Sequence, residues 1–108
     1  MMVLVLTGCG GSGQFPSAPT VNLTNRTLVT NNGGNTLSVI DNSSNTVVST
    51  IIVGIGPQAV AVNTSAHRAY VTNNGSNTLS VIDTGTNTVV ATVTMGTGVG
   101  PRGVAVLP

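Results

Sequence analysis

The sequence predicts an all-β fold assembled from repeated four-stranded antiparallel sheets, and three observations carry that prediction. The chain of 108 residues is 40% hydrophobic, with only 5% charged and 2% aromatic side chains. Much of the remainder is Thr, Asn, Ser and Gly, which suits strands and tight turns far better than helices. Residues 28–56 return at 70–98 with 19 identities, an offset of 42. Within each copy, short runs of Val, Ile and Thr alternate with Asn- and Gly-rich clusters, the pattern of strands joined by turns.

The repeat fixes the order of the elements. Leu28-Val29-Thr30-Asn31-Asn32-Gly33 recurs as Tyr70-Val71-Thr72-Asn73-Asn74-Gly75. Asn35-Thr36-Leu37-Ser38-Val39-Ile40-Asp41 recurs unchanged as Asn77-Thr78-Leu79-Ser80-Val81-Ile82-Asp83. Pro57-Gln58-Ala59-Val60-Ala61-Val62 matches Pro101-Arg102-Gly103-Val104-Ala105-Val106 after the inserted pair Val99-Gly100. A first strand at 60–63 reads as continuously apolar at its centre and so as buried on both faces. A polar turn leads to a second strand at 68–73. Asn73-Asn74-Gly75-Ser76 then supplies the left-handed residues of a tight hairpin. The third strand is expected at 78–83, a turn at 84–87 and the fourth strand at 88–95. The glycines of 96–101 allow a sharp reversal, and Pro101 sets an extended start to the next strand.

Four antiparallel strands in a 42-residue unit are the signature of a β-propeller blade. Tyr70-Val71-Thr72-Asn73, followed by Ser80-Val81-Ile82-Asp83, resembles the YVTN β-propeller repeat of bacterial and archaeal cell-surface proteins. The resemblance extends over 21–108, and Leu28 stands where the family carries Tyr. It implies a structural motif carried by Tyr70, Val71, Thr72 and Asn73, with Asp41 and Asp83 at equivalent strand ends. The expected organisation is a partial blade at 21–56, a full blade at 57–98 and the first strand of a further blade at 101–108. Propellers close with about 4–8 blades, and seven-bladed relatives would need roughly 300 residues. Two blade equivalents therefore imply a fragment of a longer propeller, or a ring built from several copies. A β-solenoid is the rival architecture, suggested by Asn35-Thr36 and Asn45-Thr46, but the Gly-Pro punctuation comes once per 42 residues.

The N-terminus carries its own signal. The apolar run 1–6 is far shorter than the roughly 20 residues a membrane-spanning helix needs. Leu6-Thr7-Gly8-Cys9 resembles the bacterial lipobox, in which cleavage precedes a Cys that becomes lipidated. On that reading 1–8 is a truncated lipoprotein signal peptide lacking its basic end. Residues 9–20 are then the lipidated Cys9 and a flexible Gly/Ser/Pro tether. Gly10 after the Cys favours the outer membrane by resemblance to lipoprotein sorting in Gram-negative cells. Cys9 is the single cysteine, so no internal disulfide supplements the core.

Candidate chemistry is sparse. Three Arg/Lys against two Asp/Glu leave a formal net charge of +1, which offers nucleic acid no basic field. Asp41 and Asp83 are the only acids, each alone in its copy, which suits Asx-turns better than general acid–base work. His67 is the only histidine and lacks co-ligands for a metal or haem, so it reads as a turn residue. No G-x-S-x-G elbow accompanies the many serines. The glycines at 10–13 and 96–100 precede no helix and do not form phosphate cradles. Asn22-Leu23-Thr24 and Asn25-Arg26-Thr27 fit the glycosylation acceptor pattern, which bears on an archaeal source alone.

These residues lead to a non-catalytic, lipid-anchored cell-surface scaffold that needs no cofactor or metal and binds a macromolecule or ligand. Two other classes stay open: a periplasmic DNA-binding propeller, and a lactonase- or haem-type propeller whose active groups lie in other blades. For the former, Arg26, Arg68 and Arg102 are the whole basic complement, and no Trp is present for base stacking.

Overall fold

The computed structural model describes residues 25–107. The expectations for Cys9, the signal peptide, the tether and the acceptor at Asn22 lie outside the described residues. Among the described residues, seven strands make two antiparallel sheets and no helix occurs. The first sheet is β1 (Arg26–Asn31), β2 (Thr36–Asp41) and β3 (Thr46–Ile52) in sequential order. The second is β4 (Pro57–Asn63), β5 (Arg68–Asn73), β6 (Thr78–Asp83) and β7 (Thr88–Thr94), again sequential. The strands are rich in Val, Ile and Thr, short polar turns separate them, and each sheet is a meander of hairpins.

The hairpins are four-residue turns, and the residue that goes left-handed is the last of the four. Asn35, Asn45, Asn77 and Asn87 have φ of 59°, 56°, 59° and 56°, and His67 takes the same place with φ 56°. Asn accepts this conformation more readily than most residues with a Cβ. In the first such turn the Asn31 carbonyl accepts from the N–H of Gly34 at 3.1 Å and of Asn35 at 2.9 Å. The expectation that residues 73–76 supply the left-handed conformation is thereby corrected: that residue is Asn77. Gly75 is needed for space instead. A Cβ there would stand 2.8 Å from Ile55 Cγ2 and 3.1 Å from the Ile55 carbonyl oxygen.

β4 also departs from expectation. It begins at Pro57 rather than at Val60, and Val62 is 42% exposed. Its position explains this, because β4 is an edge strand paired with β5 alone. Gln58 is bulged out of that pairing, between Pro57 opposite Asn73 and Ala59 opposite Thr72. Matching bulges interrupt β2–β3 at Val39/Ile40 and β6–β7 at Val81/Ile82. They leave Val48 and Val90 without register partners and add local twist at the same place in both repeats.

The core lies between the sheets. Leu37, Val39 and Ile51 of the first sheet meet Ala69, Val71 and Ile82 of the second, with Leu28, Val53, Val60 and Val89 packed around them. The register puts Leu28 opposite Val39 and Leu37 opposite Ile51, so one face of the first sheet is apolar. Small branched side chains let the sheets approach closely, which bulky aromatics would prevent. The layer is one side chain deep on each sheet, so single losses weigh heavily: truncating a buried Leu to Ala costs about 2–5 kcal/mol.

Candidate functional site

The repeated polar residues gather at one end of each sheet, where the second hairpin strand turns and the linker to the next unit passes. Asn31 ends β1, and its amide donates to Thr36 Oγ1 at 3.0 Å and Ser38 Oγ at 2.8 Å. Asn73 ends β5 and repeats the arrangement, donating to Thr78 Oγ1 at 3.1 Å and Ser80 Oγ at 2.9 Å. Asn73 is fully buried, and its Oδ1 has no hydrogen-bond partner. Gly54 gives the amide its room, since a Cβ there would lie 2.7 Å from Asn73 Cγ.

Around these amides, each repeat grips the main chain that follows it. Thr30 Oγ1 donates to the Gln58 carbonyl at 3.5 Å, and Asn32 Nδ2 to the Pro57 carbonyl at 3.4 Å. Asn35 uses both its groups: Oδ1 accepts from the Gly56 N–H at 2.9 Å, and its own carbonyl accepts from the Val53 N–H at 3.1 Å. One repeat later Thr72 Oγ1 donates to the Arg102 carbonyl and Asn74 Nδ2 to the Gly100 carbonyl, both at 2.9 Å. Asn77 Oδ1 accepts from the Gly100 N–H at 2.8 Å, and its carbonyl accepts from Met95 N–H at 2.9 Å. The first junction holds β4. The second holds 101–107, which have no strand partner among the described residues.

The motif residues therefore divide by task. Val71 belongs to the core, Thr72 grips the following segment and Asn73 bridges the first hairpin to the third strand. Tyr70 is half-buried and lies on the opposite face of β5 from Val71. Asp41 and Asp83 each close an Asx-turn. Asp41 Oδ1 accepts from Ser43 Oγ at 2.7 Å and from the Ser43 N–H at 3.0 Å, and Asp83 Oδ1 from the Gly85 N–H at 2.8 Å. The Ser43 hydroxyl, then the Ser43 N–H, hold the Asp41 carboxyl below the usual carboxylate range, with a smaller contribution from Arg26. Asp83 also faces Arg68 across 3.6 Å, an ion pair whose Arg side chain is 37% exposed, worth about 0–1 kcal/mol.

The remaining candidates lie outside these Asx-turns. His67 is exposed, and its carbonyl accepts from Thr84 N–H at 3.0 Å and Arg68 Nη1 at 3.2 Å. Ser65, two positions away, donates its hydroxyl to Asn63 Oδ1 at 2.9 Å. Among the described residues, no three His, Cys, Asp or Glu side chains gather as a metal site. Sequence reasoning missed the grip made by Thr30, Asn32 and Asn35. Its signal was present, because T-N-N-x-x-N recurs at 30–35 and 72–77, once before each Gly-Pro-containing linker.

No protein-family model matches the chain, and no curated protein matches it. Among solved structures, the chain is similar to hydrazine synthase from Kuenenia stuttgartiensis, with a TM-score of 0.65 and 22% identity. The match covers 71% of this chain and 22% of that one, so the chain spans less than a quarter of its length. At that identity the likeness concerns the arrangement of the sheets and not their chemistry.

Proposed function

We propose that this chain supplies blades of a YVTN-type β-propeller and serves as a non-catalytic scaffold at the bacterial surface. Its lipid anchor would be Cys9, and its loops would engage a macromolecular partner or a ligand. One observation carries the reading: the repeated Thr, Asn and Asp side chains are engaged with main chain or with each other. Residues occupied in this way build a scaffold and leave the loops as the variable surface. The sequential antiparallel sheets, stacked through a thin layer of branched side chains, fit the packing of adjacent blades. The proposal places the protein in the outer membrane, attached but not spanning.

Expression of the full chain in a Gram-negative host with radiolabelled palmitate tests the anchor. Label on the wild type, lost in Cys9→Ala together with release from the membrane fraction, is the expected result. An unlabelled wild type recovered in the soluble fraction would overturn it.

A further inference from the structure

The molecule uses one face-to-face interface internally and displays both of its halves again at its two ends. In the first sheet, Leu28, Leu37, Val39 and Ile51 face the second sheet. Forty-two residues on, Tyr70, Leu79, Val81 and Val93 hold the same places on the far face of the second sheet. Among the described residues no sheet packs on that face: Val93 is 45% exposed where Ile51 is 5%, while Tyr70, Leu79 and Val81 are half-buried. The reverse holds at the other end. Val71 and Ile82 of the second sheet pack into the interface, and their equivalents Val29 and Ile40 lie on the face of the first sheet against which no sheet packs among the described residues. Val29 is 39% exposed where Val71 is 0%.

From this we infer that a second copy of the chain docks head to tail, its first sheet against the open face of the second sheet. The mating surface is specified by the interface already described rather than by apolarity in general. Segment 101–107 is placed to join it, because Thr72 holds Arg102, and Asn74 and Asn77 hold Gly100 just before it, as Thr30, Asn32 and Asn35 hold Gln58, Pro57 and Gly56 around the start of β4. β1 is the edge of the first sheet, with no strand beside it among the described residues. The β4–β5 pairing gives the register directly. Val60 opposite Val71 becomes Val104 of one copy opposite Val29 of the next, and Pro57 opposite Asn73 becomes Pro101 opposite Asn31. Such a contact is heterologous, so each copy gives one surface and receives the other. The inference rests on the repeat geometry alone and stands or falls independently of the lipid anchor.

Opposed side chains on paired antiparallel strands have Cβ atoms about 4.5–5.5 Å apart, within reach of a short bismaleimide. In the full chain with Cys9→Ser, Val29→Cys and Val104→Cys are made separately and treated with the linker alone and as an equimolar mixture. Covalent dimer in the mixture, with little in either variant alone, is the expected result, accompanied by a concentration-dependent rise in wild-type mass in light scattering. Dimer from Val29→Cys alone would indicate a symmetric contact and overturn the inference. So would absence of dimer from the mixture, the outcome if another part of the same chain covers β1.

Discussion

Gly33 and Gly75 occupy the same position of the same turn, 42 residues apart, yet their replacement by Ala should move stability in opposite directions. Neither has a left-handed φ, so Ala fits the backbone at both sites. A Cβ on Gly33 would meet nothing within 4 Å, whereas one on Gly75 would lie 2.8 Å from Ile55 Cγ2 and 3.1 Å from the Ile55 carbonyl. Ala restricts the unfolded chain equally in both, a gain of about 0.4–1 kcal/mol. Gly33→Ala should show that gain undiminished. Gly75→Ala must also push the 53–56 linker away, an overpacking cost of about 1–3 kcal/mol. Because the chain-entropy term is shared, the gap between the variants reads the close contact alone. Urea titrations followed by far-UV circular dichroism measure both. Each kcal/mol corresponds to about 4–8 °C in midpoint temperature for a unit of this size. Shortening Ile55 to Ala in the Gly75→Ala background should recover part of the loss, leaving the contribution of the carbonyl. Equal shifts of the same sign in the two glycine variants would refute the argument that linker packing, not turn geometry, selects Gly75.

Two further outcomes follow from other contacts. The Ser43 hydrogen bonds hold the folded Asp41 carboxyl below the usual carboxylate range. Its charge therefore contributes stability at neutral pH that is lost as pH falls below about 4 and through the folded value. Asp41→Asn keeps an acceptor for the turn, so its urea midpoint should change less than that of the wild type between pH 6 and pH 2.5. Identical acid sensitivity would discount the Ser43 hydrogen bonds. Thr72→Val removes the hydroxyl that holds the Arg102 carbonyl at 2.9 Å. Trypsin cleavage after Arg102, followed by mass spectrometry, should then proceed several-fold faster, with cleavage after Arg68 unaffected.

The strands were legible because the repeat supplied two independent views of each. Arg68–Asn73 and Thr78–Asp83 begin and end where the alternation of Val, Ile and Thr between Asn clusters places them. The Asx-turns were legible too, since an Asp before a turn carries its hydrogen-bond partner two residues away. Residue-level turn conformation was not. In Asn74-Gly75-Ser76-Asn77 the glycine is the default choice for a left-handed φ, and only the linker's approach shows that it is needed for another reason. The polar grip was hidden for a similar reason. Thr30 and Gln58 lie 28 residues apart, and their contact exists only once two repeats stack. Val62 shows the limit of local apolarity, which cannot reveal that a strand lies at the edge of its sheet.

The grip of each repeat on its successor touches carbonyls and N–H groups, which every residue shares, and ignores side chains. Gln58-Ala59 and Arg102-Gly103 accordingly fill equivalent places although their chemistry has nothing in common. Duplicated units joined in this manner are free to drift apart in composition without losing their fit. Gene rearrangement could then lengthen or shorten such an array one module at a time, with no matching mutation required in the neighbour.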